Sequence, residues 1–290
     1  MTLYHQIAEN RRRTFFLFFF TFLIIISLGY LFGAFYGDSY AGALLAFIFT
    51  IFYSLISYFF SANIVLAISG AKPIEKKDNP YLYRMVENLC IGAGIPLPKI
   101  YIIDEPALNA FATGRDQNHG VLVVTRGLLE SLENEELEGV LAHELSHIQN
   151  QDIRVMTLAA VLAGAIVMLA DIFLRSSRWG SSRSRKSGGI LILIGLILAL
   201  LSPLFAQLIK LAISRQREFL ADSAGALLTR YPEGLAKALE KISKDPMPLQ
   251  NVSEATAHLY IKNPLTKGMF ASMFSTHPPV EERIKRLRAS

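Results

Sequence analysis

Long apolar stretches alternate with segments of ordinary soluble composition along this chain of 290 residues. The first two stretches, Phe15–Tyr36 and Ser39–Ala71, contain no charged residue and are separated only by a short Gly37-Asp38-Ser39 turn. Because a helix rises about 1.5 Å per residue, about 20 apolar residues cross the hydrocarbon core of a bilayer. The pattern therefore predicts a transmembrane helical hairpin over residues 14–71. A cleaved signal peptide is not favoured, since a second span follows directly.

Two further apolar stretches, Val155–Leu174 and Gly188–Leu211, enclose a linker rich in arginine and serine. If both cross the membrane, residues 155–211 form a second hairpin. Its basic linker then lies outside, against the usual retention of positive charge inside. If they do not cross, these helices must be re-entrant or packed against protein. We expect both stretches to cross the membrane, and helices that are re-entrant or packed against protein are the alternative.

Basic residues flank both open ends of the first hairpin, and its turn has none. They are Arg11, Arg12 and Arg13 before the first span and Lys72, Lys76 and Lys77 after the second. Positive charge near membrane spans is retained on the cytoplasmic side. We therefore expect a multi-pass protein whose residues 1–13 and polar segments 72–154 and 212–290 lie in the cytoplasm.

The polar segments combine helical and strand patterns, as an α+β domain does. The predicted helices are Pro80–Cys90, Glu135–Asn150 with Asn134 as its cap, Gln216–Arg230, Glu233–Ser243 and Val280–Arg288. The predicted strands are Lys99–Asp104, Asn109–Thr113 and Val121–Thr125. The soluble part is thus divided in two by the apolar residues 155–211.

Composition and charge narrow the possible function classes. Hydrophobic residues make up 52% of the chain and charged residues only 18%, which argues against a wholly soluble protein. The single cysteine, Cys90, excludes a disulfide framework and a thiolate metal cluster. Much of the net charge of +5 lies beside the apolar stretches, and no basic helix with interleaved aromatic residues is evident. We therefore expect a lipid bilayer as a partner and no nucleic acid.

The run His143-Glu144-Leu145-Ser146-His147 has the clearest chemistry. Positions four apart lie on the same face of a helix, so both imidazoles can reach one ion. Glu144 lies beside them, where a carboxylate can take a proton from water and deliver it to a leaving amine. Both histidines lie to one side of the apolar stripe of this helix, at the edge of a core rather than on the polar face. A surface helix with two solvated histidines is the alternative.

A catalytic zinc site needs a third protein ligand and one open position. No further histidine follows His147 closely, so a carboxylate is the expected ligand. Glu218 and Asp222 lie four apart on a predicted helix, where one can bind metal while the other accepts a ring N–H from a histidine ligand. A solvated helix face is the alternative for this pair alone. The two motifs can meet only if an even number of membrane crossings separates them.

Together these motifs resemble the HtpX family, membrane zinc metalloendopeptidases related to the CAAX prenyl endopeptidases. The resemblance covers nearly the whole chain, including the N-terminal hairpin and the second apolar hairpin between the motifs. The other matching segments are Asn109-Ala110-Phe111-Ala112, Val140-Leu141-Ala142, Ser214–Asp222, and His277-Pro278 with Arg283-Ile284. The resemblance implies a polytopic α-helical protein of the cell inner membrane with an α+β zincin-like (gluzincin) metallopeptidase domain.

The same resemblance assigns roles to individual residues. It implies one Zn²⁺ per subunit held by His143, His147 and Glu218, with Glu144 as catalytic base and acid. Asp222 would then accept a ring N–H from one of the histidine ligands and so orient it. The implied substrates are polypeptides, especially misfolded or damaged membrane proteins, in protein quality control under stress.

Three further residues have alternative roles. His277 either stabilises an oxyanion near the metal or is a structural turn residue before proline. Arg283 either supports His277, Glu218 or a substrate carbonyl, or lies on a solvated helix face. Asn109 and its strand can bind substrate backbone by edge pairing.

Three other functions compete with this interpretation. The CAAX-type prenyl endopeptidases have similar motifs but more spans than the four apolar stretches here. An intramembrane protease would carry the histidine motif within an apolar span, whereas acidic and polar residues surround it here. A non-enzymatic membrane protein with a silent metal site, such as a transporter, is expected to carry ionisable groups within its spans.

Overall fold

The computed structural model describes residues 3–161, 215–247, 249, 256–262 and 278–289. Most of the third and fourth apolar stretches, over residues 162–211, lies outside the described residues, and so does His277. The membrane crossings predicted there stay predictions.

The described chain is rich in helix and contains one small sheet. The helices are α1 (Leu3–Tyr36), α2 (Ser39–Ser69), α3 (Pro80–Ala93), α4 (Arg126–Ser131), α5 (Asn134–Gln149), α6 (helical over residues 152–161), α7 (Arg215–Thr229), α8 (Pro232–Lys244) and α9 (Val280–Leu287). The strands are β1 (Lys72–Pro73), β2 (Lys99–Ile103), β3 (Ala110–Gly114) and β4 (Gly120–Thr125). Short 3-10 turns cover Gln117–His119 and Ala257–Leu259.

The helices α1 and α2 form the predicted antiparallel hairpin. Asp38 begins α2 by accepting hydrogen bonds from the backbone N–H groups of Tyr40 and Ala41, both at 3.0 Å. The helices touch through glycine, because a Cβ atom built on Gly42 would lie 2.6 Å from the Cα atom of Gly33. Among the described residues, these two helices alone are long and apolar enough to cross a membrane.

The sheet separates two packed layers. Its strand order is β1-β2-β4-β3, with β2 and β4 parallel and β3 an antiparallel edge strand. Successive side chains of a strand point to opposite faces. One face, which includes Ile100, Leu122 and Val124, packs on α3 and α5. The other face, which includes Phe111 and Val123, packs on the C-terminal part of α2 and on α6.

The helix α5 is buried along most of its length. Its N-cap is Glu133 rather than the predicted Asn134. A capping box explains the difference, because the Glu136 carboxylate accepts the backbone N–H of Glu133 at 2.9 Å and so favours a helix start one residue earlier.

The glycines of α7 and α5 let neighbouring helices approach closely. A Cβ atom on Gly225 would lie 3.0 Å from the backbone nitrogen of His143, and one on Gly139 would lie 2.7 Å from that of Leu235.

Two elements were not predicted from the hydrophobic pattern, and a third begins earlier than predicted. The two-residue strand β1 and the short helix α4 are too brief to show a period. The helix α6 begins with Asp152, before the apolar stretch predicted to start at Val155. Its described residues are buried against the sheet and α2, with Val155, Leu158 and Ala159 at most 1% exposed. At least this first part of the third stretch therefore packs against protein.

Candidate metal centre

The two motif histidines lie side by side on α5, facing inward. His143 is 1% exposed and His147 3% exposed. Their Nε2 atoms are 3.3 Å apart, and their ring planes are close to perpendicular, at 88°. The alternative of two solvated histidines on a surface helix is therefore wrong for this structure. Burial follows from the position of α5 between the sheet and the α7–α8 layer.

A carboxylate from α7 completes the group. Glu218 is 1% exposed, with Oε1 3.7 Å from His147 Nε2 and Oε2 3.8 Å from His143 Nε2. One candidate ligand atom from each of His143, His147 and Glu218 lies within 4.8 Å of the others. The two motifs, separated by about seventy residues of sequence, thus meet at one point in the fold.

An aspartate contacts the Nδ1 atom of each histidine. His143 Nδ1 lies 3.0 Å from Asp222 Oδ1, and His147 Nδ1 lies 3.0 Å from Asp152 Oδ2. Because an ionised carboxylate only accepts hydrogen bonds, each Nδ1 carries the proton and donates it. Both Nε2 atoms then present lone pairs to each other and to the oxygens of Glu218. Such a convergence of lone pairs favours a cation between them.

Each of these two aspartates accepts hydrogen bonds from an arginine. Arg283 is fully buried and donates from Nε and Nη2 to the two oxygens of Asp222, at 2.9 and 2.7 Å. Arg217 is 8% exposed and donates from Nη1 to Asp152 Oδ1 at 3.1 Å. The solvated helix face proposed as one alternative for Arg283 is therefore wrong. Instead, Arg283 fixes the carboxylate that orients His143, and its Nη1 is 4.0 Å from Glu218 Oε2.

The described part of the site has an excess of negative charge. Its buried carboxylates are Glu144, Asp152, Glu218 and Asp222, and its buried guanidinium groups are Arg217 and Arg283. With neutral histidines, about two negative charges are left over. A buried charge is stable only when it is paired or bound to a metal, and a divalent cation matches this excess.

The pKa directions agree with that charge balance. Burial lowers the pKa of His147, but the hydrogen bond to Asp152 and the charges of Glu218, Asp152 and Glu144 outweigh it and raise the pKa to about 9. Burial raises the pKa of Asp222, but the charge of Arg283 and hydrogen bonds from His143 and Arg283 lower it to about 2. Without metal the site therefore favours a proton on His147, a positive charge that a bound cation would replace, and it keeps Asp222 ionised.

The donor set fits zinc in distance as well as in type. Two nitrogens bound to Zn²⁺ at about 2.0–2.1 Å with tetrahedral angles lie about 3.3–3.4 Å apart. The Nε2 atoms of His143 and His147 have that separation already. Glu218 presents Oε1 to His147 Nε2 at 3.7 Å and Oε2 to His143 Nε2 at 3.8 Å, so its carboxylate lies against both nitrogens and must shift toward them to bind the same ion at zinc distances.

Glu144 lies between the two histidines in sequence and is also buried, at 2% exposure. Its negative charge acts on His147 and on Arg283, raising the pKa of each. Glu144 is thus electrostatically part of the same site, although it is not one of the three grouped donors.

Asn109 has a different environment from the one expected. It is buried, its amide nitrogen donates to the carbonyl of Lys262 at 2.9 Å, and its Oδ1 accepts from the backbone of Lys262 and Ala110. The neighbouring Ala110 carbonyl accepts from the Ile261 N–H at 3.0 Å. The chain's own residues 261–262 therefore occupy the start of the β3 edge, and the Asn109 side chain is engaged there.

Sequence reasoning missed Asp152 and Arg217. Asp152 follows His147 by five residues, immediately before an apolar stretch, and Arg217 directly precedes Glu218. A charged residue at the start of an apolar helix is a signal for burial in an ion pair, but nothing in the sequence names its partner.

Comparisons with known proteins agree with this geometry. Residues 76–290 match the family model of peptidase family M48. A protein named protease HtpX homolog from Dictyoglomus turgidum is 47% identical over 287 residues, covering 99% of this chain and 94% of that protein. The same-named protein from Tropheryma whipplei (strain Twist) is 46% identical over 286 residues, covering 99% and 98%.

A likeness to a solved structure supports the fold. The crystal structure of S. mikatae Ste24p superimposes with a TM-score of 0.50 at 21% sequence identity. The match covers 93% of this chain and 62% of that chain, so this protein spans less than two thirds of the length of Ste24p.

The helix-borne His-His-Glu group, its buried negative charge and the apolar hairpin define a class, the membrane metalloproteases. Within that class the chain belongs to peptidase family M48, and its relatives are the HtpX proteases. The family predicted from the motifs is thereby confirmed.

Proposed function

We propose that this protein is a zinc-dependent, multi-pass membrane endopeptidase with a gluzincin-type catalytic domain. The observation that carries the proposal is the convergence of three donors, two imidazole Nε2 atoms 3.3 Å apart and the Glu218 carboxylate beside them. Their distances, burial and surrounding charge suit a single divalent ion. His143, His147 and Glu218 are the proposed ligands.

The protein's own groups supply the proton chemistry. Zinc, when bound, acts as a Lewis acid that polarises the scissile carbonyl and makes water nucleophilic near neutral pH. Glu144 accepts the proton of the attacking water and later delivers it to the leaving amine. Asp222 and Asp152 keep the histidines in the tautomer that leaves Nε2 free for metal. The two predicted roles of His277, stabilising an oxyanion or forming a structural turn, both stay predictions.

The edge strand β3 is the proposed binding site for substrate backbone. Residues of β3 that pair with β4 without hydrogen bonds turn their own N–H and C=O groups outward. The Ala110 carbonyl, bonded to Ile261, identifies the outward set as Ala110, Ala112 and Gly114. Asn109 and Ala110 bind the chain's own residues and Gly114 donates to Thr157, so the proposed pairing site is Ala112. Because Ala112 is only 2% exposed, substrate would have to displace the residues that cover it.

Membrane location and substrate class extend the proposal. The apolar hairpin and the basic residues at its open ends favour insertion with the metal site on the cytoplasmic side of the cell inner membrane. A site held beside a membrane anchor favours membrane-bound polypeptides as substrates. We propose misfolded or damaged membrane proteins, in a quality-control role.

The decisive experiment compares bound zinc and casein cleavage in the wild type, Glu144→Gln and Glu218→Ala. We expect Glu144→Gln to retain zinc but lose activity by about 10²- to 10⁴-fold, as loss of a general base does. Glu218→Ala should lose both zinc and activity, because it removes a proposed ligand.

A matched control is Glu135→Gln, which changes an exposed glutamate in the first turn of the same helix. It should keep both zinc and activity. Full activity in Glu144→Gln would reject the proton-transfer role, and normal zinc content in Glu218→Ala would reject the ligand set.

A further inference from the structure

The exposed surface of α2 locates the edge of the proposed membrane layer. Bulky apolar side chains are exposed from Tyr40, at 81%, to Phe60, at 55%. Beyond them the polar Asn63 is exposed, Val65 and Leu66 are buried against the soluble domain, and Ile68 is exposed again at 41%. Twenty residues of helix from Tyr40 to Phe60 measure about 30 Å, the thickness of a hydrocarbon core. The inner boundary of the bilayer therefore falls at about Phe59 and Phe60.

The soluble domain touches the hairpin at that level. The guanidinium carbon of Arg115, in the turn after β3, lies 5.3 Å from the centre of the Phe59 ring. The backbone carbonyl of Arg115 accepts from Nε of Arg154 on α6, at 2.7 Å. An arginine stacked on an aromatic ring suits the interface between lipid and water.

The helix α6 enters the proposed membrane layer beside α2. The Tyr53 hydroxyl donates to the carbonyl of Val161 at 3.1 Å. Tyr53 precedes Phe59 by six residues, so this contact lies about 9 Å inside the boundary. Along α6, Asp152 lies nine residues, or about 13 Å, before Val161. Since Val161 lies about 9 Å inside the boundary, Asp152 lies close to the level of Phe59, at or just outside the boundary. Arg154 lies at the level of Phe59, through Arg115, and Val161 lies at the level of Tyr53. The helix α6 therefore runs antiparallel to α2.

This places the candidate metal centre close to the lipid. Asp152, at the boundary, contacts Nδ1 of His147 at 3.0 Å. The imidazole of His147 joins that carboxylate to the proposed ion. The centre therefore lies on the order of 10 Å from the bilayer surface, about three extended residues.

The edge strand β3 is also attached to α6. Its Gly114 end is bound to α6, because Thr157 Oγ1 accepts the Gly114 N–H at 3.1 Å and lies 2.8 Å from Thr113 Oγ1. Its Ala110 end is bound to Ile261.

We propose that the substrate segment is the juxtamembrane stretch of a membrane-anchored polypeptide, cut within about its first ten residues outside the bilayer. This inference rests on the proposed endopeptidase function and on membrane insertion of the hairpin. It assigns the enzyme a position along the substrate rather than a sequence preference.

The test uses full-length enzyme in liposomes and one cleavable cassette in three reporters. The first reporter carries the cassette directly after a transmembrane helix, and the second carries it beyond a 20-residue helical spacer of about 30 Å. The third is the cassette in a soluble unfolded protein. We expect the first reporter to be cut about tenfold faster than the second, since the anchor concentrates only the near site at the active site.

The outcomes separate the two proposals. Cleavage of the soluble reporter, with equal rates for both anchored reporters, would overturn the juxtamembrane inference and leave the endopeptidase function intact. Failure to cut any reporter would overturn the endopeptidase function itself.

A second measurement tests the depth without any substrate. A fluorophore is attached at Asn118→Cys or at Lys237→Cys, both in a Cys90→Ala background. Asn118 is exposed in the turn beside Arg115, and Lys237 is exposed on α8 near the N-terminal end of α5. Headgroup-quencher lipids should quench the label at position 118 and leave that at 237 bright. Equal quenching at the two positions would overturn the proposed depth.

Discussion

At the residue scale, each candidate histidine ligand belongs to a chain of three groups. His143 is followed by Asp222 and Arg283, and His147 by Asp152 and Arg217. Each chain fixes a ring orientation and a tautomer through charged hydrogen bonds, which are stronger than neutral ones. The two chains come from different elements, so the orientation of both rings depends on tertiary contacts.

Replacement of Asp152 tests this role as a positioning residue. Asp152→Ala should weaken zinc binding by about 10- to 100-fold, the usual effect of losing a partner behind a histidine ligand. Asp152→Asn keeps an oxygen that can accept the His147 Nδ1 proton, and should restore part of the affinity. Zinc dissociation constants, measured by competition with a chelating dye at equal thermal stability, check both variants.

A matched control for Asp152 exists in the same chain. Asp116 makes a similar contact with a histidine, Oδ1 to His119 Nδ1 at 2.7 Å, in an exposed turn. Asp116→Asn should leave zinc affinity unchanged. An equal loss of affinity in Asp116→Asn, or none in Asp152→Ala, would contradict the assigned role.

At the element scale, the site depends on how closely α7 lies against α5. Glu218 can reach the histidines because Gly225, two turns further along α7, packs against the backbone of Ala142 and His143. The sequence predicted both helices from their periodicity, which depends only on local spacing. It did not predict their distance, because a close helix approach depends on which glycine faces which backbone.

A larger residue at Gly225 should therefore damage the metal site from a distance. In Gly225→Leu the new Cβ atom would lie 3.0 Å from the backbone nitrogen of His143, and overpacking of this kind costs about 1–3 kcal/mol. We expect lower zinc occupancy and activity with the three donor residues unchanged. Ser223→Leu, on the exposed face of α7, is the control and should behave as wild type. Wild-type zinc occupancy in a folded Gly225→Leu protein would argue against this account.

At the scale of the whole molecule, one centre joins segments from both halves of the soluble part. The histidines lie on α5, Asp152 on α6, Glu218 and Asp222 on α7, and Arg283 on α9. With neutral histidines and no cation, about two negative charges would be buried among these elements, which is unfavourable. Metal binding and the assembly of the domain should therefore be coupled.

Metal removal is expected to destabilise the protein. A ligand present at about 1,000 times its dissociation constant adds about 4 kcal/mol of stability, which for a domain of this size corresponds to a Tm shift on the order of 10 °C. Melting of the detergent-solubilised protein with and without a chelator measures the shift. In Glu218→Ala the chelator should have little effect, and an equal shift there would show that the metal acts at another site.

The amino-acid sequence by itself determined the features that depend on local spacing. These are the apolar hairpin, the main helices and strands, and the His143-Glu144-His147 arrangement, because helix rise and period act over a few residues. Only the tertiary structure decided which charged groups meet, since ion pairs such as Asp152 with Arg217 join distant segments. The burial of Arg283 and the closeness of the metal centre to the open end of the hairpin have the same origin, the packing of elements that no local pattern encodes.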